Sequence, residues 1–166
     1  VVDALVSAVK SRNADLAHRY YALKASWMGQ ETLDWWDRNA PLPDDDERSF
    51  SWNEAEQLVM ESFAGFDPAM ADLAAPFFAQ NWIDAAPRAG KSSGAFSHPV
   101  TPSAHPYILM NFSGKSRDVM TLAHEMGHGI HQRLAADRGY LMSDTPLTLA
   151  ETASVFAEML AFRKLV

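Results

Sequence analysis

Apolar residues along this chain recur at helical spacing far more often than they alternate. Near the N-terminus Leu5, Val9, Leu16, Leu23 and Trp27 follow a 3.6-residue repeat, and Gly29 closes the run. The spacing predicts a long amphipathic helix whose Leu and aromatic stripe belongs to the core. His18, set among charged neighbours, reads as a surface residue. Ser51 and Glu54 have capping-box spacing and open a helix carrying Ala55, Leu58, Val59, Phe63 and Phe66. Asp67 and Pro68 open another, which Pro76 is expected to kink or split before Trp82. Residues 41–48 between these helices are a Pro/Asp-rich break. The acidic run 44–47 reads as a solvated loop, with cation binding as the alternative.

The pattern changes at residues 86–106, where Gly, Ser, Pro and His dominate. His98 and His105 each precede a proline and read as free loop histidines, metal ligation being the alternative. Residues 85–92, A-A-P-R-A-G-K-S, fall one glycine short of a phosphate-binding loop. Ala85 stands where glycine is needed, and nucleotide binding would require a strand before it, which the sequence does not announce. Residues 107–112, Y-I-L-M-N-F, lie between Pro106 and Gly114 and read as a strand, paired with a shorter one around 95–97. A helix is then expected from about Ser116 to Ala136, with Asp118 in its first turn and Gly139 beyond its end. Thr145 as cap and Pro146 as first helical residue open a last helix. It runs on without a stop signal, which suggests a longer natural polypeptide. These elements predict a mainly α fold with a small antiparallel β element, in one domain over residues 1–166.

Composition narrows the partners. The hydrophobic share of 48% suits a globular chain with a sizeable core, and no stretch approaches the length of a membrane span. A net charge of −7 without a Lys/Arg cluster argues against nucleic acid. The absence of cysteine removes disulfides and thiolate ligands and fits a reducing compartment, the cytoplasm. Residues 1–12 lack a basic region followed by an apolar block, so no signal peptide is expected. Any metal would be held by histidines and carboxylates.

Such a set is present. His124-Glu125-Met126-Gly127-His128 has the form H-E-x-x-H inside the helix expected at 116–136. Residues four apart lie one above the other on a helix, so both imidazoles can reach one ion at about 2.0–2.1 Å. Glu125, turned roughly 100° from His124, can stand beside the ion and hold the attacking water. The plain alternative is a histidine pair on a solvated face. Two residues compete for third ligand. His131 points to the same side, but seven helical residues span about 10.5 Å, too far for His124 and His131 to share an ion. Glu151, 151 − 128 = 23 residues beyond His128, falls in the second turn of the next helix. The loop between could fold that helix back antiparallel. A carboxylate buried among Leu147, Leu149, Val155, Phe156 and Leu160 would be costly unless paired or metal-bound, so Glu151 is preferred; the alternative is a first-turn dipole partner. Glu158 shares its face and either orients a histidine ligand or is a surface glutamate. Gly127 and Gly129, each costing about 1 kcal/mol in a helix interior, suggest close packing beside the second histidine, or a mere weak spot.

At these residues the chain resembles a family. H-E-M-G-H-G-I-H with L-A-E-T-A-S downstream is similar to the zinc signature and glutamate ligand of the M3 zinc peptidases, within them the bacterial oligoendopeptidase F group. Y-Y-A-L-K-A, W-I-D-A-A-P-R-A-G-K-S-S-G-A-F-S and P-Y-I-L-M-N-F extend the likeness over most of the chain. The resemblance implies a zincin-like helical core holding Zn²⁺ on His124, His128 and Glu151, with Glu125 as catalytic base. It implies hydrolysis of short peptides in a deep channel, and matches the edge strand of the site to residues 107–112, where a substrate backbone would add as a strand. It also implies that tyrosine and histidine side chains stabilising the tetrahedral intermediate come from a further C-terminal part. A zinc-binding portion without turnover of its own is therefore the alternative to a complete zinc endopeptidase.

Overall fold

The computed structural model describes residues 1–42 and 48–166, so the acidic run at 44–47 lies outside the described residues. The chain divides into two compact units, Val1–Glu47 and Arg48–Val166.

The first unit holds α1 (Val2–Trp27) and a short 3₁₀ helix, Trp35–Asn39. The helix is where periodicity predicts it, but its burial is not. Leu5, Val9, Leu16, Leu23 and Trp27 are all exposed, and only Lys24 and Ala25 of α1 are buried. What α1 buries is set by a polar group: the Lys24 ammonium donates to the carbonyls of Asp37, Arg38 and Ala40 at 2.9, 2.9 and 2.7 Å. An ammonium has three protons, so this buried charge is fully satisfied. His18 is exposed, as expected.

The second unit begins with α2 (Trp52–Phe66), whose capping box forms as the sequence indicates: Glu54 accepts from the Ser51 N–H at 2.8 Å, and the Ser51 hydroxyl accepts from the Glu54 N–H at 3.3 Å. Asp67 accepts from the Ala69 N–H at 2.9 Å and starts α3 (Pro68–Ala79). Pro76 does not split α3. It removes the donor for the carbonyl of Asp72, an exposed residue.

Three short strands follow: β1 (Ile83–Asp84), β2 (Phe96–His98) and β3 (Tyr107–Leu109). The expected antiparallel pair is present, with Ser97 opposite Ile108. Residues 110–112 extend the bonding of β3, through Met110 to Asp84 and Phe112 to Ala85. The sheet is mixed, because β1 adds in parallel on the other side of β3. β3 is therefore the central strand, and the expectation that residues 107–112 form an open edge is overturned. Both of its flanks are taken, and the free edge toward the site belongs to β2.

β1 also supplies the strand that the phosphate-loop reading needed. That reading still fails, because the chain after Ser92 turns into β2 instead of entering a helix. The Lys91 ammonium is held by the Asp84 carboxylate (3.0 Å) and by the carbonyls of Asp84 and Ala86 (2.9 and 3.0 Å). Arg88 forks onto the same carboxylate at 2.7 and 2.7 Å, and these bonds hold Asp84 far below the usual carboxylate range.

α4 (Ser116–Ala136) has the predicted bounds, and Gly139 lies beyond its end at φ 80°. α5 (Leu147–Leu165) starts one residue later than expected: Pro146 is its cap, with ψ 142°, and Thr145 makes no cap bond. The core of the unit gathers Val59, Phe63, Phe77, Ile108, Met110, Leu122 and Met126, all buried. α5 meets it through small residues, Ser154, Ala157 and Ala161, whereas Leu147, Leu149, Val155 and Phe156 are exposed. Among the described residues no helix is long and apolar enough to cross a membrane.

Candidate metal centre

His124 and His128 stand one turn apart on α4, their rings edge to face at 5.1 Å. α5 brings Glu151 to both: its Oε2 lies 3.2 Å from His124 Nε2 and 3.5 Å from His128 Nε2. Donors at about 2.0–2.1 Å around a tetrahedral ion stand roughly 3.3 Å from one another, so these separations fit one zinc-sized ion. Among the described residues this is the one group of three or more His, Asp or Glu side chains converging within 4.8 Å. His131 is outside it. So are His98, whose Nδ1 accepts from the Val100 N–H at 3.0 Å, and His105, whose ring stacks on Trp82 at 3.9 Å.

The packing that sets this convergence is written in the glycines of α4. A Cβ on Gly127 would lie 2.6 Å from the Ala153 carbonyl and 2.7 Å from Ser154 Cα, both backbone atoms of α5. One on Gly129 would meet the Phe77 ring at 2.6 Å. Close packing, not a weak spot, explains both residues, and it lets α5 approach until its carboxylates reach the histidines.

α5 also orients the donors. Glu158 Oε2 lies 3.1 Å from His124 Nδ1 and holds the ring with its Nε2 toward Glu151. The His128 ring is bonded to the Ala150 backbone. The Ser154 hydroxyl donates to Glu151 Oε2 at 2.7 Å, fixing the oxygen that faces the histidines. Glu151 itself is exposed, with 56% of its side chain open to solvent. The burial argument for it was wrong because α5 turns small residues, not its leucines, toward α4. What singles Glu151 out is its distance from the two imidazoles.

Electrostatics prepare the same forms. The Ser154 hydroxyl, and then the histidines, lower the Glu151 pKa and keep it anionic. Burial lowers the His128 pKa and favours the neutral ring, the form that binds a metal. Burial raises the Glu125 pKa, partly opposed by His124 and reinforced by Glu151. Glu125 does not join the donor group. It is buried at 6% exposure and lines two hollows, one reaching Arg117, Thr121 and Glu158, the other reaching β2, His131 and Asp144.

Two contacts missed in the sequence hold β2 beside this site. Gln132, one turn past His128, donates to the Ser97 carbonyl at 3.2 Å and accepts from the Ser97 hydroxyl at 2.9 Å. Asn111 donates to the carbonyls of Ser92 and Gly94 at 2.9 and 3.2 Å, pinning the approach to the strand. The i+4 spacing from His128 to Gln132, and i+3 from Glu151 to Ser154, were the available signals.

A helix-borne histidine pair, an interposed buried glutamate and a carboxylate from the next helix together point to the metallopeptidases. The chain belongs to peptidase family M3, whose family model matches residues 1–166. It is 31% identical over 159 residues to the chromosomal oligoendopeptidase F of Lactococcus lactis subsp. cremoris, covering 95% of this chain and 26% of that protein. It is 28% identical over 161 residues to the oligopeptidase PepF of Bacillus subtilis, covering 96% and 24%. The fold matches that of PZ peptidase A with inhibitor 2 at a TM-score of 0.83 and 19% identity, over 96% of this chain and 29% of that one. The chain thus spans about a quarter of the length of these relatives.

Proposed function

We propose that this chain carries the catalytic site of a zinc-dependent endopeptidase acting on short peptides, with His124, His128 and Glu151 as zinc ligands and Glu125 as general base. The observation that carries the reading is the approach of one Glu151 oxygen to both imidazole Nε2 atoms, at 3.2 and 3.5 Å. The donor set of two neutral nitrogens and one anionic oxygen, without thiolate, fits zinc and leaves a fourth position open. Zinc, when bound, supplies the Lewis acidity that polarises the scissile carbonyl and the attacking water.

The protein's own groups do the rest. Glu125 removes a proton from the attacking water as its oxygen bonds to the carbonyl carbon. It returns that proton to the amide nitrogen as the C–N bond breaks, leaving a carboxylic acid and a free amine. Burial lifts its pKa toward the working range of a general acid and base, which suits a group that must both take and give the proton. Glu158 and Ser154 keep His124 and Glu151 in their binding orientations. The substrate backbone adds to the free edge of β2, replacing the expected pairing with residues 107–112, since the flanks of β3 are occupied. Pairing through main chain reads few side chains and suits an oligopeptidase of broad sequence tolerance.

The test is Glu125→Gln in the full-length enzyme. The amide keeps shape but cannot accept the proton, so zinc content should stay at one per chain while hydrolysis falls by about 10²–10⁴. Near-normal turnover by that variant would remove Glu125 from the role.

A further inference from the structure

We propose that the hollow at the far end of β2, beyond His128, takes one bulky apolar side chain of the peptide, aromatic best, from the third or fourth residue on the amino side of the bond cut. The inference rests on the endopeptidase and edge-pairing reading above. It starts from three hollows in a row. One, holding Gly94 and Ala95, opens against Thr121, His124 and Glu125. The next shares Ala95, His124 and Glu125 with it and runs along Phe96 and Ser97 to His128. The third, of about 510 Å³, shares Pro99, Gln132, Ser143 and Asp144 with the second and reaches Arg133 and Ala136. The chain around β2 thus runs beside α4 in the same direction, with Ser97 bonded to Gln132. A peptide added to β2 in the antiparallel sense, the stronger pairing, runs back along α4 with its amino-terminal half over the third hollow. Gln132 and Ala136 lie about 9–15 Å beyond the middle of the His124–His128 pair, at about 1.5 Å per helical residue. An extended peptide covers that distance in roughly three to four residues.

The walls hold a preformed shape. Trp82, buried, stacks on His105 with centroids 3.9 Å and planes 6° apart. Pro99, Pro102 and Pro106 line the hollow with fixed φ. Ala104 donates its N–H to the Thr101 carbonyl at 3.0 Å and tightens the turn between β2 and β3. Val100 in that turn has φ 62°, a region that a β-branched residue enters only at a cost. His98 Nδ1 accepts the Val100 N–H at 3.0 Å and holds it there. Strain of this kind persists where the surroundings enforce it, and here it accompanies a place for Val100 in the wall. The charged groups narrow the occupant. Arg133 donates to the Leu73 carbonyl and lies 5.6 Å over Trp82, so it is tied to the wall. Asp144, exposed where the third hollow meets the second, repels an acidic side chain. An aromatic ring packs against these rings and prolines and fills volume that an aliphatic side chain would leave part empty. One selective position is thereby added to an edge that otherwise reads main chain.

The test uses the zinc-loaded full-length enzyme and peptides of alanine and serine with a single Phe, their products identified by mass spectrometry. The cut should fall with Phe third or fourth on its amino side, and should move by one bond when Phe is moved by one residue. Replacing that Phe by Leu should lower kcat/KM about threefold, by Gly about tenfold, and by Glu further still. Ala136→Phe, which fills the hollow from α4, should bring the Phe-to-Gly ratio close to one. Val100→Gly, which relieves the backbone and removes part of the wall, should lower the ratio about threefold with the fold intact. The ratio is taken within each variant, so a general loss of activity leaves it unmoved. Cuts next to Phe, or scattered without regard to it, would overturn the proposal, as would a ratio that neither variant changes. A preference on the carboxyl side of the cut, erased by Ala136→Phe, would mean that the peptide lies the other way and would overturn the assignment. If the enzyme cuts no peptide at all, the endopeptidase reading itself fails and this inference falls with it.

Discussion

α1 and α4 are the two longest helices, and they carry opposite kinds of stripe. The stripe on α1 is apolar and lies in solvent; the one on α4, from Thr121 through His124 and His128, is polar and faces the site. α4 is held on its other faces by Val119, Leu122, Ala123, Met126 and Ile130, and by a helix drawn so close that only glycine fits at 127. Apolar spacing thus forecasts that a segment is helical, but not what covers it. Small residues beside a ligand forecast how near a neighbour stands, and that distance decides whether donors on two helices can share an ion.

The difference can be broken most severely at Gly127. Gly127→Val drives a branched side chain into the backbone of α5, which cannot swing away as a flexible side chain would. A loss of about 3 kcal/mol, at the upper end of overpacking costs, is expected in denaturant titration, together with loss of zinc. Wild-type stability with zinc retained would mean that α5 slides freely along α4. Glu158→Gln is gentler: the helices stay packed, but His124 loses its charged acceptor. Zinc affinity measured by chelator competition should fall about 10–100-fold with the fold intact. The smallest effect belongs to α1, where Leu16→Ser on an exposed stripe should change stability by no more than about 0.5 kcal/mol. A loss well above 1 kcal/mol would show that the stripe is covered in solution, and the contrast with α4 would shrink.

What the sequence made legible follows the same line. The span of α4, the Ser51–Glu54 box, the Asp67–Pro68 start and the meaning of Gly127 and Gly129 all rest on local chemistry, and each is found in the structure. The position of Glu151 was also readable, though for the wrong reason, since its side chain is exposed. What escaped depends on distant partners. Ile83 and Asp84 are too short a run to announce a strand, yet by pairing with Ile108 and Leu109 they move β3 from the edge to the centre. The Lys24 ammonium finds three carbonyls 13–16 residues away, and no periodicity encodes that. Gln132 looks like any helical glutamine until β2 is laid against it.

The central claim is that two imidazoles from α4 and one carboxylate from α5 hold a single zinc ion. It is tested most directly by metal analysis of three purified proteins side by side: the unchanged protein, Glu151→Ala and His131→Ala. The account predicts one zinc per chain in the unchanged protein and in His131→Ala, and loss of most of the zinc in Glu151→Ala. Zinc retained by Glu151→Ala and lost from His131→Ala would contradict it, and would put the third donor on α4 itself.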